Sequence, residues 1–153
     1  MAEKTNEDNA PKWPYELFGV ECGDGWKQLL PPLFEKIEEY NKDLADEDKI
    51  VIEQVKEKFG ELRIYLSYYP EEIKKLVNEL EFQAAKTCEL CGSTEDVGLK
   101  VDGWCTTLCR KCAKDIAKRK GMTVFRKYED GKVNIYRIYD NGTEEIVNPK
   151  EIP

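Results

Sequence analysis

The chain has 153 residues, 41% hydrophobic and 10% aromatic, which is apolar material for one core and too much for a disordered segment. Its 24 basic and 31 acidic residues give a net charge of −7, which favours solubility and disfavours indiscriminate coating of nucleic acid. There is no histidine, so Ser-His-Asp and Cys-His nucleophile systems, histidine-ligated catalytic zinc and His-Asn-His nuclease chemistry are excluded, and any metal must be held by sulfur or oxygen.

Residues 1–12 are polar and read as a disordered lead-in. They lack the cationic start and apolar run of a secretory signal, and no apolar stretch approaches the ~20 residues of a membrane helix, so the expected compartment is the cytoplasm, with no membrane partner. Trp13 to Val20 mixes aromatics with Pro14 and Gly19, an irregular segment expected to dock on the core. Gly23-Asp24-Gly25-Trp26 is a turn that opens a helical period at Leu30, Leu33, Phe34, Ile37 and Leu44. With Pro31 and Pro32 tolerated in a first turn, the helix is predicted over about Pro31 to Lys42. In this reading Trp26 anchors the core and Asp24 caps the turn.

Alternation predicts strands over Lys49–Lys58 and Glu61–Tyr69, joined at Phe59-Gly60. Gln54, Lys56 and Lys58, with Glu53 and Glu57, suit either a polar groove or an edge strand guarded by lysines. Pro70-Glu71-Glu72 starts a helix with Ile73, Leu76, Val77, Leu80 and Ala84 as its buried stripe. At the far end, Met122–Val147 predicts a three-stranded meander bent at Asp130-Gly131 and Asn141-Gly142. The expected fold class is α+β: helix, β-hairpin, helix, a zinc segment and an antiparallel meander. The expected divisions are an acidic body over 13–86, the zinc segment over 87–121 and the meander over 122–153, packed together as one compact unit.

Charge follows these divisions. Residues 1–85 carry 11 basic and 20 acidic side chains, whereas residues 86–153 carry 13 and 11. Eight cations fall between Arg110 and Lys127, where Asp115 is the lone acid. Lys114, Lys118 and Arg119, beside Trp104 and Phe125, are therefore candidates for gripping a partner or phosphates, although a solvated helix face explains the same run.

The cysteines carry the most specific signal. Cys88-Glu89-Leu90-Cys91 and Cys109-Arg110-Lys111-Cys112, 17 residues apart, form the C-x2-C-x17-C-x2-C spacing of a four-thiolate zinc site. Two residues between ligands let both sulfurs of a tight turn converge ~2.3 Å from one ion, and Gly92 permits the reversal that follows. The second pair opens the helix-forming CRKCAKDIAKRK, whose free N–H groups can donate to sulfur. A knuckle, a hairpin around Val101–Trp104 and a ligand-bearing helix make a treble clef. Iron takes the same donors, but zinc is the default. Cys105 is the one alternative ligand, and Cys22 has no partner in sequence. Four thiolates leave no open position on zinc, so the site is expected to be structural, with Arg110, Lys111 and Lys114 offsetting its negative charge.

Gly23-Asp24-Gly25-Trp26, the stretch Gln54 to Gly60 with Leu62-Arg63, and the knuckle followed by Gly103-Trp104 and Thr107-Leu108-Cys109 together resemble a family of small uncharacterised tailed-bacteriophage and prophage proteins. The likeness spans roughly residues 18–113 and implies an accessory protein in a bacterial cytoplasm, without implying an activity. The resulting expectation is a non-enzymatic, zinc-stabilised module that engages a host macromolecule, a protein first. Two rivals stand beside it. One is a nucleotide or small-molecule binder, or enzyme, with a pocket near Gly23–Trp26 and Gln54–Arg63 that uses Asp24, Trp26 and Arg63. The other binds nucleic acid through the basic zinc helix.

Overall fold

The computed structural model describes residues 19–147; the lead-in over 1–12 and most of the segment expected to dock over 13–20 lie outside them. The chain is α+β. Its first half runs β1 (Val20–Glu21), α1 (Asp24–Lys27), α2 (Pro31–Asn41), a 3-10 turn (Asp46–Asp48), β2 (Ile52–Lys58), β3 (Glu61–Leu66) and α3 (Glu71–Ala84). The second half continues with β4 (Val97–Lys100), β5 (Thr106–Cys109), α4 (Arg110–Lys120), β6 (Met122–Glu129), β7 (Lys132–Tyr139) and β8 (Glu144–Ile146).

The helices begin where proline chemistry predicts. α2 carries prolines in its first turn, where a missing N–H costs no hydrogen bond, and α3 follows Pro70 with Glu71 and Glu72 against the positive end of its dipole. Leu33, Phe34 and Ile37 of α2, and Ile73, Val77, Leu80 and Ala84 of α3, are buried against one face of the sheet β1-β2-β3. Leu76 packs at the margin, half-buried.

Strand β2 corrects the edge-strand expectation. It is central: β1 pairs with it in parallel at Val20–Val55 and Glu21–Lys56, and β3 pairs on its other side antiparallel. A register shift between Ile52 and Gln54 also breaks the simple alternation, because the extra residue lets both Ile52 and Val55 face the core. β3 shows no such break and buries Leu62, Ile64 and Leu66.

The meander forms as expected and extends a larger sheet. β4 joins β6 through Leu99–Arg126 and Lys100–Phe125, giving one five-stranded sheet ordered β5-β4-β6-β7-β8. Helix α4 packs on one face over Leu108, Phe125 and Ile138. Asp130 (φ 52°) and Gly131 (φ 79°) make a two-residue left-handed turn, whereas Gly142 (φ 89°) closes a longer loop in which Tyr139 and Thr143 are bonded. No helix among the described residues is long and apolar enough to cross a membrane.

Candidate metal centre

Two elements bring the cysteines together. The knuckle follows α3 directly: Cys88 N–H donates to the Ser93 carbonyl at 2.7 Å, Gly92 N–H donates to the Cys88 carbonyl at 2.9 Å, and Gly92 turns the chain at φ 84°. The second pair sits at the head of α4, where Cys109 is the N-cap. Glu89 N–H donates to the Thr107 carbonyl at 3.0 Å, which fixes the knuckle beside β5 and places the pairs face to face.

The Sγ atoms of Cys88, Cys91, Cys109 and Cys112 all lie within 4.8 Å of one another, so the cluster can hold a metal ion. Cys91 Sγ and Cys109 Sγ are 3.7 Å apart. Tetrahedral thiolates ~2.3 Å from one ion stand ~3.8 Å from each other, so the spacing suits a single four-coordinate ion. In each pair the N–H of the second cysteine points at the sulfur of the first at 3.5 Å. Cys105 lies outside the cluster, half-buried near the β2–β3 hairpin tip at Gly60.

The packed thiols ionise unequally. Burial pushes the Cys88 thiol up, but N–H groups of Cys91, Cys109 and Leu90 outweigh it and hold the group at about 7. Cys109 is raised by burial, and Cys112 is raised by burial and by the neighbouring thiols. Loading a divalent cation must therefore release protons. Cys22 is pushed up to about 12 by burial and by Glu89, which leaves it an inert thiol.

The Gly23–Trp26 turn belongs to this centre, where it clamps the knuckle. Gly25 N–H donates to the Glu89 carbonyl at 2.8 Å, and Gly23 N–H donates to Glu89 Oε2 at 3.0 Å. Trp26 is fully buried, and its Nε1 donates to the carbonyls of Ala84 and Thr87 at 3.0 and 2.8 Å. A Cβ on Gly25 would stand 2.2 Å from the Cys88 carbonyl oxygen, and one on Gly23 would stand 2.4 Å from that of Glu89. Both glycines answer to close backbone approach. The cap is Gly23 without a side-chain bond; Asp24 stands in solvent, 3.5 Å from Lys27.

Asp24, Trp26 and Arg63 consequently occupy three different environments and form no common pocket. Arg63 pairs with Glu61 and lines a separate cavity of about 460 Å³ with Tyr65, Tyr69 and Glu81.

The cationic candidates also divide. Lys118 and Arg119 line a cavity of about 400 Å³ with Leu90, Cys112 and Asp115, directly beside the cysteine cluster. Lys114 pairs with Glu144 at 3.4 Å. Arg110 is a structural pin: its guanidinium contacts Asp96 at 2.9 Å and Glu144 at 2.6 Å and stacks 4.6 Å from the Tyr136 ring. Trp104 lies elsewhere, with Nε1 donating to Glu57 Oε1 at 3.2 Å, and Phe125 is sealed in the second core.

Sequence reasoning missed three residues that order this region. Thr107 donates from Oγ1 to the Gly60 carbonyl at 2.7 Å, docking the hairpin tip on the second sheet. Buried Lys100 donates to the Trp104 carbonyl at 2.9 Å. Glu89 carries the clamp. The paired glycines at 23 and 25 were the one sequence signal of close approach. Compared with protein-family models, curated proteins and solved structures, the chain matches none.

Proposed function

We propose that the protein is a zinc-stabilised module that acts by binding a macromolecule, with the ion in a structural, treble-clef-type role. The observation that carries this is the four-cysteine cluster: sulfurs gathered within 4.8 Å of one another would, as thiolates, close every position on zinc and leave none to activate water. Knuckle, β4–β5 hairpin and helix α4 follow the order of a treble clef. The partner we favour is a protein, and on the expected kinship with phage proteins we propose that it is a bacterial host factor.

Elemental analysis of purified protein tests the metal, with an expected content of about one zinc per chain. Cys88→Ser and Cys112→Ser should abolish metal retention and the cooperative melt, whereas Cys22→Ser, outside the cluster, should do neither. A chain that melts cooperatively after chelation would overturn the structural role, and iron–thiolate absorption in the visible would reassign the ion.

A further inference from the structure

Large apolar side chains gather in solvent around the tip of the β2–β3 hairpin. Phe59 is 73% exposed, Tyr128 70% and Val133 51%, and all three line one open groove of about 410 Å³ together with Arg126. Trp104, 74% exposed, adjoins it: the Glu57 carboxylate accepts both its indole N–H and, at 2.7 Å, the N–H of Gly60 next to Phe59.

Tyr128 and Val133 face each other as a cross-strand pair of β6 and β7, but the fold does not account for the exposure of Phe59 and Trp104. Phe59 sits at φ 55° and Gly60 at φ 81°, a two-residue turn whose first place suits asparagine or aspartate and strains a bulky side chain. An aromatic there takes on backbone strain and returns almost no burial. Trp104 is held firmly although exposed, its carbonyl by Lys100 and its indole by Glu57. Exposed aromatics on fixed backbone, gathered in one patch, mark an interface.

Charge selects the occupant. Arg126 is exposed within the groove, and among the described residues it has no ion pair or side-chain hydrogen bond. Three acids at the groove have partners: Glu57 as above, Glu61, which itself lines the groove, with Arg63 at 2.8 Å, and Glu129 with Asn134 at 2.9 Å. Arg126 is also the one cation among the residues lining the groove, enough to meet a single carboxylate but not to follow a phosphate backbone, which is gripped by several cations. We propose that this groove docks a protein segment pairing a bulky apolar anchor with a carboxylate. The anchor lies between Phe59, Tyr128 and Val133, and the carboxylate meets Arg126. This rests on the reading of the protein as a binding module and names its partner's chemistry.

The test is selection of a random dodecapeptide display library on the metal-loaded full chain, followed by fluorescence anisotropy of the winning peptide. Enriched peptides should combine Leu, Ile, Phe or Trp with Asp or Glu, and affinity should fall about tenfold or more in Phe59→Asn, Tyr128→Ala and Arg126→Glu. A peptide whose acid is changed to Lys should regain affinity for Arg126→Glu. Zinc content and Tm, measured on every variant, should stay at wild-type values, with Phe59→Asn level or higher in Tm; this separates failure of the groove from failure of the metal-stabilised module. The proposal is overturned by no enrichment, by winning peptides without an acid, by unchanged affinity in Arg126→Glu, or by a lower Tm in Phe59→Asn. Tighter binding of a dT20 oligonucleotide, or self-association lost in the same three variants, overturns it in favour of those occupants.

Discussion

Gly25→Ala separates a clamp from an ordinary helical turn. In an isolated helix the change is favourable by about 1 kcal/mol, because alanine loses less backbone entropy than glycine. Here the new Cβ meets the Cys88 carbonyl oxygen at 2.2 Å, the Gly92 nitrogen at 2.5 Å and the Glu89 carbonyl oxygen at 2.7 Å. All three are backbone atoms, so no side chain can swing aside, and α1 must withdraw from the knuckle by about an ångström. Withdrawal breaks the bonds from Gly25 and Gly23 to Glu89 at about 1 kcal/mol each and loosens the buried indole of Trp26. A net destabilisation of about 3–4 kcal/mol follows, and if the knuckle carries it, metal affinity falls ~10²–10³-fold at about 1.4 kcal/mol per decade. Competition with a chromogenic chelator reads the affinity and thermal denaturation reads the stability. Asp24→Ala, on a side chain 91% exposed, is the matched control expected within about 0.5 kcal/mol of wild type. Wild-type chelator competition by Gly25→Ala, with Tm within about 2 °C, would refute the clamp.

Other perturbations probe the second sheet and its junction with the body. Gly60 and Gly131 hold the same place in two similar turns, at φ 81° and 79°, so alanine costs each about 1–2 kcal/mol in backbone strain. Of the two, Gly60 alone has a neighbour for the new Cβ, Leu99 Cδ1 at 2.7 Å, so Gly60→Ala should exceed Gly131→Ala by about 1 kcal/mol in denaturant unfolding; equal costs would mean that the Leu99 side chain swings aside and does not brace the hairpin tip. For Asp102, burial raises the carboxyl, but hydrogen bonds from Lys120, Thr123 and the Val124 N–H outweigh it and hold the group at about 2. Its folded value lies below the ordinary 3.8, so the stability it contributes is full above about pH 4 and is lost as pH falls through about 2. Asp102→Asn should therefore cost about 1–2 kcal/mol, after discounting for solvent screening, equally at pH 6 and pH 8; a cost that grows as pH falls over that range would contradict the assignment.

Legibility in the sequence tracked the range of the interaction. The helix starts at Pro31 and Pro70, the β3 alternation and the four-thiolate spacing were all readable because each depends on residues a few positions apart. The central position of β2 was not, since nothing in Ile52–Lys58 announces that Val20 and Glu21 will pair beside it. The cationic run misled for the same reason. Arg110 and Lys114 look free along the chain and are neutralised in space by Asp96 and Glu144, the latter 34 positions from Arg110.

By itself, the sequence determined that the chain is α+β, that it holds no imidazole chemistry and that two C-x2-C pairs could meet at one ion. Periodicity and ligand spacing are local properties of a polymer, and they survive without knowledge of the fold. Only the tertiary structure decided what the remaining motifs are for. Glycines 23 and 25 admit the knuckle backbone, Gly60 docks on Leu99 and Thr107, and Phe59 is left in solvent on a strained turn. These roles depend on which distant backbone atoms approach within 3 Å, and that distance is set by packing between the two sheets rather than by any pattern along the chain.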